Sequence, residues 1–444
     1  MTAAMRLRAF VLALAGLALA GCSLIEDYIS SPPKTPLPGE RRSMIRAEER
    51  VRPDPRAAAS PVRLPEAVAN DAWPQPGGGP GHAMHNLAVA SIAVAWTTDI
   101  GDGASRDGRV TGTPIVADGR VYTVDASTLL TSVDARSGAR IWQVDLAVPG
   151  SRSTAGGGGV AFANGTLYAS SGQAQVVALE AATGKEIWRS PLTAPARSGP
   201  TIAGNRVFAI SVDNQIHALD AATGRKLWSH AGITETAGLF GASSPAVEGN
   251  IVVAAFSSGE IFALRVETGR VVWADGLAGS QRSDAVSLLS DVRGLPVIDR
   301  GTVFAISHSG RMAAIDLRTG ARVWEQSVGS FNTPWLAGEH LFLTTLDAEV
   351  VAVSRRDGRI HWVTQLEQFT DPQRRRGRIV WTGPIAVGGR LLVFNSLAQA
   401  VTISPATGEV EERLRLPGRV ELPAAVAGGT IYVVTDDARL VALR

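Results

Sequence analysis

An all-β ring of eight four-stranded antiparallel blades, an eight-bladed β-propeller, is the fold class this sequence predicts. Three observations predict it. A motif reading D-A-x-T-G-x-x-x-W at its clearest recurs seven times along the 444 residues. Upstream of each copy, short apolar runs alternate with tight turns. The two ends of the repeat region are incomplete, and each lacks what the other supplies.

The clearest copies start at Asp134, Asp220 and Asp316 and end at Trp142, Trp228 and Trp324. The copy from Glu180 to Trp188 carries one conservative change. Three are weaker: Thr268-Gly269 with Trp273, Asp357-Gly358 with Trp362, and Thr407-Gly408, where Glu412 takes the Trp place. With Trp96 ahead of the first unit, the Trp phase advances by 38 to 51 residues. Self-similarity at such a period marks a repeat architecture.

Within the first unit, Ile115-Val116 leads to Asp118-Gly119, then a second run through Val124, a third from Leu129 to Val133, and a fourth ending at Trp142. The first turn recurs as Asn164-Gly165, Gly204-Asn205, Gly249-Asn250, Gly338-Glu339, Gly388-Gly389 and Gly428-Gly429. Such pairs between apolar runs signal hairpins, because their residues accept φ > 0. The Ser/Thr-Gly of the motif is another tight turn. Each unit is therefore four short strands, one blade, and no segment in the repeats sustains helical periodicity.

Closure follows from the ends. The last stretch supplies three strands, ending Leu440-Val441-Ala442-Leu443, and stops at Arg444. Ala93-Val94-Ala95-Trp96 reads as a fourth strand with no preceding three. The N-terminal strand is expected to complete the last blade, leaving no open sheet edge for association.

Composition agrees: 45% apolar, 6% aromatic and 47 glycines fit a turn-rich β protein. Residues 1–21 read as a secretory signal, with Arg6 and Arg8 before the apolar run from Phe10 to Ala20. That run is too short for a comfortable membrane span. Leu19-Ala20-Gly21-Cys22 resembles a bacterial lipobox, which implies lipidation of Cys22, the only cysteine. Ser23 favours the outer membrane over inner-membrane retention. Residues 22–70, rich in Pro, Arg and Ala, read as a flexible lipid-anchored tether reaching about 35–40 Å, with a short helix around 43–51. Residues 71–444 are the propeller. Without Arg6 and Arg8 the mature chain has 41 basic and 41 acidic side chains. That balance argues against nucleic acid, which requires a basic footprint.

Few residues suggest chemistry. His82-Ala83-Met84-His85 contains soft-metal ligand types but has no partner cluster at useful spacing, so no metal site is expected. No Gly-x-Ser-x-Gly elbow appears, and Gly156 to Gly159 precede a strand rather than a helix. Arg374-Arg375-Arg376-Gly377-Arg378 is the one dense charge run. It reads as a solvated loop or as a contact for an acidic protein or lipid.

The A-x-D-x-x-T-G-x-x-x-W blades resemble the repeats of pyrroloquinoline-quinone (PQQ) enzymes. With the lipobox, they are similar to the BamB family, the propeller lipoproteins of the outer-membrane β-barrel assembly machinery. Trp73-Pro74-Gln75-Pro76-Gly77-Gly78 resembles that family's lead-in to the ring. Leu288-Leu289-Ser290-Asp291-Val292 resembles its L-S-D-V-D loop, and the stretch from Ala237 to Pro245 its L-S-L-R-G-E-S-A-P. The resemblance implies a non-enzymatic scaffold without cofactor, facing the periplasm from the outer membrane. It would dock on the POTRA region of the BamA-like barrel-inserting subunit, beside the other assembly subunits. Unfolded outer-membrane protein clients are a further partner class. By position, Ala237, Leu239, Phe240, Asp291 and Arg293 would make the contact. Three depart from the family pattern: Ala237 stands for Leu, Phe240 for Arg and Arg293 for Asp. The alternative is a periplasmic PQQ-dependent dehydrogenase-like quinoprotein, or a ligand-binding propeller. Those enzymes clamp PQQ with a disulfide of adjacent cysteines, which a chain with one cysteine cannot form.

Overall fold

Eight four-stranded antiparallel sheets follow one another in the computed structural model, seven with their strands in simple sequence order and the eighth completed by a strand from the N-terminus. The structure describes residues 51–105, 109–148, 150, 157–196, 198–235, 243–277 and 292–444. Blades 1 to 7 span 115–145, 158–191, 201–231, 246–276, 297–326, 335–365 and 381–415. Blade 8 joins 425–443 to the N-terminal strand Val94–Asp99. Trp96 pairs with Ala442 and Asp99 with Arg439, and the Arg444 N–H donates to the Ala93 carbonyl at 2.9 Å. The first strands of neighbouring blades line the inside, and that of blade 1 lies beside that of blade 8, closing the ring. The eight-bladed propeller and its N-terminal closure stand as the repeats predict.

The turns form for local reasons. Asp118 and Gly119 both take positive φ, 49° and 71°, as a twisted two-residue hairpin turn requires. In the repeat motif, the Asp134 carboxylate accepts from the Ser137 N–H and hydroxyl, both at 2.7 Å. Asp220 with Thr223 and Asp316 with Thr319 repeat that arrangement. The hydroxyl bond, with backbone donors, holds each of these carboxyls below the usual range.

The motif glycine and tryptophan meet across the seam between blades. A Cβ on Gly224 would stand 2.5 Å from the Trp188 ring of the preceding blade, and one on Gly138 2.7 Å from Trp96. Gly184, Gly269, Gly320, Gly358 and Gly408 sit likewise on Trp142, Trp228, Trp273, Trp324 and Trp362. The indole N–H then donates to the next blade's motif turn: Trp188 to the Ala221 carbonyl at 3.0 Å, Trp228 to Val266 at 2.9 Å, Trp273 to Leu317 at 2.7 Å. Trp142, Trp324 and Trp362 do the same onto Ala181, Arg355 and Pro405. At the seam from blade 8 to blade 1 the acceptor, Ala135, takes the Tyr432 hydroxyl instead, and the Trp96 N–H has no partner among the described residues.

Glu412 is explained by the same geometry. Its indole would need the motif turn of blade 8, but that blade has no such turn, because its fourth strand comes from the N-terminus. Seven seams therefore carry a Trp on a Gly, and the seam without the glycine carries the glutamate.

Between the seams, the middle strands bury nearly every residue; Val121, Leu130, Phe208, Ile216 and Leu341 are wholly enclosed. Each such side chain contributes about 1.5–3 kcal/mol on burial. All eight fourth strands carry a one-residue bulge directly before the Trp position, as between Ala218↔Trp228 and Leu219↔Lys226. A bulged outer strand is a poor template for pairing with another chain.

The segment expected as free tether differs from 51 onward. The Asp54 N–H donates to the Ile360 carbonyl at 2.8 Å, Asp54 caps the helical turn Pro55–Ala58, and Val62 is 3% exposed within the hydrophobic core. Val62 and Leu64 provide the apolar surface that a Pro- and Arg-rich composition obscures. The helix expected around 43–51 and Cys22 fall outside the described residues, apart from Val51, which is not helical.

Candidate docking face

Consecutive turns of an antiparallel blade lie at opposite ends, so the ring has two unlike faces. One carries the turns from first to second strands and the D-A-x-T-G turns. The other carries the turns from second to third strands and the connections between blades.

The turn face is closed by residues 70–89, which track the inner rim in blade order. Asn70 accepts from the Gly428 N–H of blade 8, and Trp73 exchanges two backbone bonds with Val116 of blade 1, at 2.7 and 2.8 Å. Pro74 accepts from Phe162 of blade 2, and the Gln75 side chain from Ile202 of blade 3. Pro80 accepts from Val247 of blade 4, and Gly81 from Ile298 of blade 5. His85 Nδ1 accepts from Gly338 of blade 6, and Leu87 bonds Ala386 and Gly388 of blade 7. First strands present unpaired N–H groups along their inner edge, and buried donors need partners. A Pro- and Gly-rich coil offers carbonyls and few donors, which suits it to that rim. Trp73, held at blade 1, stacks on Trp335 of blade 6 at 6.3 Å and 7°, so the pair links two non-adjacent blades.

The His82–His85 stretch serves this plug. His82 is buried with Nδ1 2.7 Å from the Pro296 carbonyl, and its desolvation lowers its pKa to about 4. His85 Nε2 lies 3.7 Å from Asp299, itself held by Arg355. Met84 packs where a Gly78 side chain would stand.

On the connection face, hydroxyls lace successive blades. Ser170 donates to the Ser198 carbonyl, Ser198 to Ser243 at 3.1 Å, and Ser243 to Gly294 at 3.3 Å. The chain continues through Leu295 N–H to Thr333 and Asn332 to Trp381, both at 3.0 Å. Of the expected docking residues, Ala237, Leu239, Phe240 and Asp291 lie outside the described residues. Arg293 is half-buried between the enclosed Val292 and Gly294. The Ser243–Gly294 bond nevertheless joins the C-terminal flanks of the two segments that hold these residues.

The Arg374–Arg378 run is a built element rather than a bare loop. Phe369–Asp371 pairs with Arg376–Arg378 as a two-stranded hairpin in the connection from blade 6 to blade 7. The signals that could have revealed it are Asp371-Pro372 and Gly377, both turn formers. The rim plug had a weaker signal, the absence of alternation in a Gly/Pro-rich stretch.

Whether PQQ fits is decided by the residues present. The single cysteine, Cys22, rules out the clamp of adjacent cysteines on which PQQ is held in PQQ enzymes. The residues do not fit that group.

The family model for outer membrane protein assembly factor BamB matches residues 126–364 and 368–444. A model for the β-propeller domain of glucose/ethanol/alcohol dehydrogenases matches 80–163. BamB of Escherichia coli (strain K12) is 29% identical over 163 residues, covering 34% of this chain and 39% of that protein. BamB of Legionella pneumophila (strain Paris) is 26% identical over 163 residues, 36% of this chain and 40% of that protein. The chain thus spans about two fifths of the length of these curated relatives. Among solved structures, BamB from Moraxella catarrhalis superposes with a TM-score of 0.66 at 19% identity, covering 80% of this chain and 99% of that one. The quinohemoprotein alcohol dehydrogenase from Comamonas testosteroni reaches 0.66 at 14% identity, over 85% and 81%. At those identities the structures share the fold alone.

Proposed function

The chain belongs to the family of outer membrane protein assembly factor BamB, and on that premise we propose that it is a non-enzymatic scaffold of the outer-membrane β-barrel assembly machinery. Signal residues 1–21 are removed, and Cys22 carries the lipid that holds the protein on the periplasmic side of the outer membrane. The connection face docks on the POTRA region of the BamA-like barrel-inserting subunit through Ala237, Leu239, Phe240, Asp291 and Arg293. Held there, the ring supports folding and insertion of outer-membrane proteins.

The observation that supports this reading best is the Ser243–Gly294 bond. It tethers the flanks of two segments that are far apart in sequence, on the face the plug leaves open. Apolar Leu239 and Phe240 beside charged Asp291 and Arg293 have the make-up of an interface core and its rim. The bulged outer strands speak against capture of client chains by strand addition.

The test is binding of the purified mature chain to the POTRA region of the same organism's barrel-inserting subunit. Leu239→Asp with Phe240→Asp is expected to weaken binding by at least about 2 kcal/mol, the scale of hot-spot residues. Asp291→Lys or Arg293→Glu alone should cost less and respond more to salt. Unchanged affinity in the double variant excludes this docking site. The dehydrogenase reading is tested by supplying PQQ and Ca²⁺: dye-linked oxidation of alcohols or sugars would replace the scaffold assignment.

A further inference from the structure

We propose that the arginine hairpin formed by Phe369–Asp371 and Arg376–Arg378 is a docking element for an acidic protein surface. It rests on the scaffold reading only for the identity of the first partner tested.

Across residues 369–378 the chain places four Arg against a single Asp, on a mature chain whose basic and acidic side chains balance overall. The hairpin is fixed at both ends. The Ile379 N–H donates to the Gln368 carbonyl at 2.8 Å, the Gln368 side chain reaches the Asp347 carbonyl at 2.7 Å, and the Arg378 guanidinium bonds the Leu346 carbonyl. At the tip, the Arg374 N–H bonds Asp371 at 3.1 Å, and Arg375 lies 5.6 Å over the Phe369 ring. Arg374 keeps 76% of its side chain exposed and touches Asp371 only at 3.8 Å. Arg376 is exposed as well. A solvated loop would let like charges splay. Here strand pairing fixes where the Arg side chains leave the backbone, so that one anionic surface can meet several of them.

The residue type narrows the ligand. All four cations are Arg, whose planar fork matches carboxylates two bonds at a time. Position argues for protein rather than lipid. The hairpin projects from the connection face, whereas Val51, the described residue nearest the expected anchor, packs against the cluster that includes Ile360, at the turn face. The hairpin's one large apolar side chain, Phe369, is half-buried beneath the Arg375 guanidinium, and residues 370–378 add none to enter an acyl layer. Carboxylates on a folded partner are therefore the fitting ligand, and their pairing should speed association and weaken with salt.

The experiment uses the mature chain carrying Arg374→Glu, Arg375→Glu and Arg376→Glu, beside wild type, with the POTRA region as probe. A second arm places a photo-crosslinking residue at the exposed Gln373 in intact cells and maps the product by mass spectrometry. Because these side chains are solvent-facing, the melting temperature should not move. The proposal expects at least a tenfold loss of affinity at low salt, shrinking at high salt, and crosslinks into a carboxylate-rich protein segment. If wild type fails to bind the POTRA region, the scaffold reading fails, yet a Gln373 crosslink to an acidic segment of another protein upholds the hairpin's role. Crosslinks to lipid, no protein product, or a POTRA crosslink without any affinity loss in the triple variant overturns it.

Discussion

At the scale of single residues, the seam between blades rests on a glycine beneath an indole. Gly224 has φ 71° and a side chain there would meet Trp188, while Gly204 has φ 58° and open space around it. Gly204→Ala should therefore cost only the backbone term, about 1 kcal/mol. Gly224→Ala should cost clearly more, about 2–4 kcal/mol in denaturant unfolding, because the ring must move as well. Equal costs would mean the indole is not seated there. Buried imidazoles add a pH dependence. His82 and His217 have pKa values lowered to about 4, chiefly by desolvation, with Lys226 adding at His217. A base favoured neutral in the fold binds its proton more readily when unfolded. Stability should be full above the ordinary value of about 6.5 and fall as pH drops toward 4. His82→Asn, which tolerates the positive φ of 63° at that position, should show a shallower fall in melting temperature across that window. An unchanged slope would remove His82 from the account.

At the scale of elements, the plug and the closing strand carry predictions of their own. Trp73→Ala should destabilise by about 3–5 kcal/mol, the usual range for emptying a buried indole site. Deleting 51–65 removes Val62, Leu64 and the Asp54 bond, so melting should come earlier than in the mature chain; the same temperature in both would show that the segment adds nothing. Deleting through 97 also opens the last blade and should reduce solubility. Glu412→Trp should not stabilise, since blade 8 offers no glycine seat. The blades, their number and their closure were legible because the motif states its own chemistry: Asp to cap, Thr to bond it, Gly to turn and make room, Trp to cover. Residues 70–89 were not, because their order comes from eight strand edges that no local pattern reveals. The reason for Glu412 lay in the turn that blade 8 lacks after its third strand, which ends at Leu443, and the Arg hairpin lacks the apolar alternation by which strands are read.

At the scale of the whole molecule, the two faces divide the work. The turn face is sealed by its plug and receives the segment that leads from the expected anchor. Cys22→Ala should release the protein from the membrane fraction or leave its signal uncleaved by the lipoprotein route; normal processing and outer-membrane retention would rule out the lipid anchor. Of the proposed docking residues, blade phase in the sequence already puts Arg293 and the flanks of the others on one face. Their side-chain arrangement was out of reach, since three depart from the family pattern that suggested them. The most direct measurement of the central claim is the affinity of the mature chain for the POTRA region of the same organism's barrel-inserting subunit, compared with the Leu239→Asp/Phe240→Asp variant. The account predicts saturable binding by the wild type and a loss of about thirtyfold or more in the variant, with an unchanged melting temperature. Absence of wild-type binding, or equal affinity in both proteins, would contradict it.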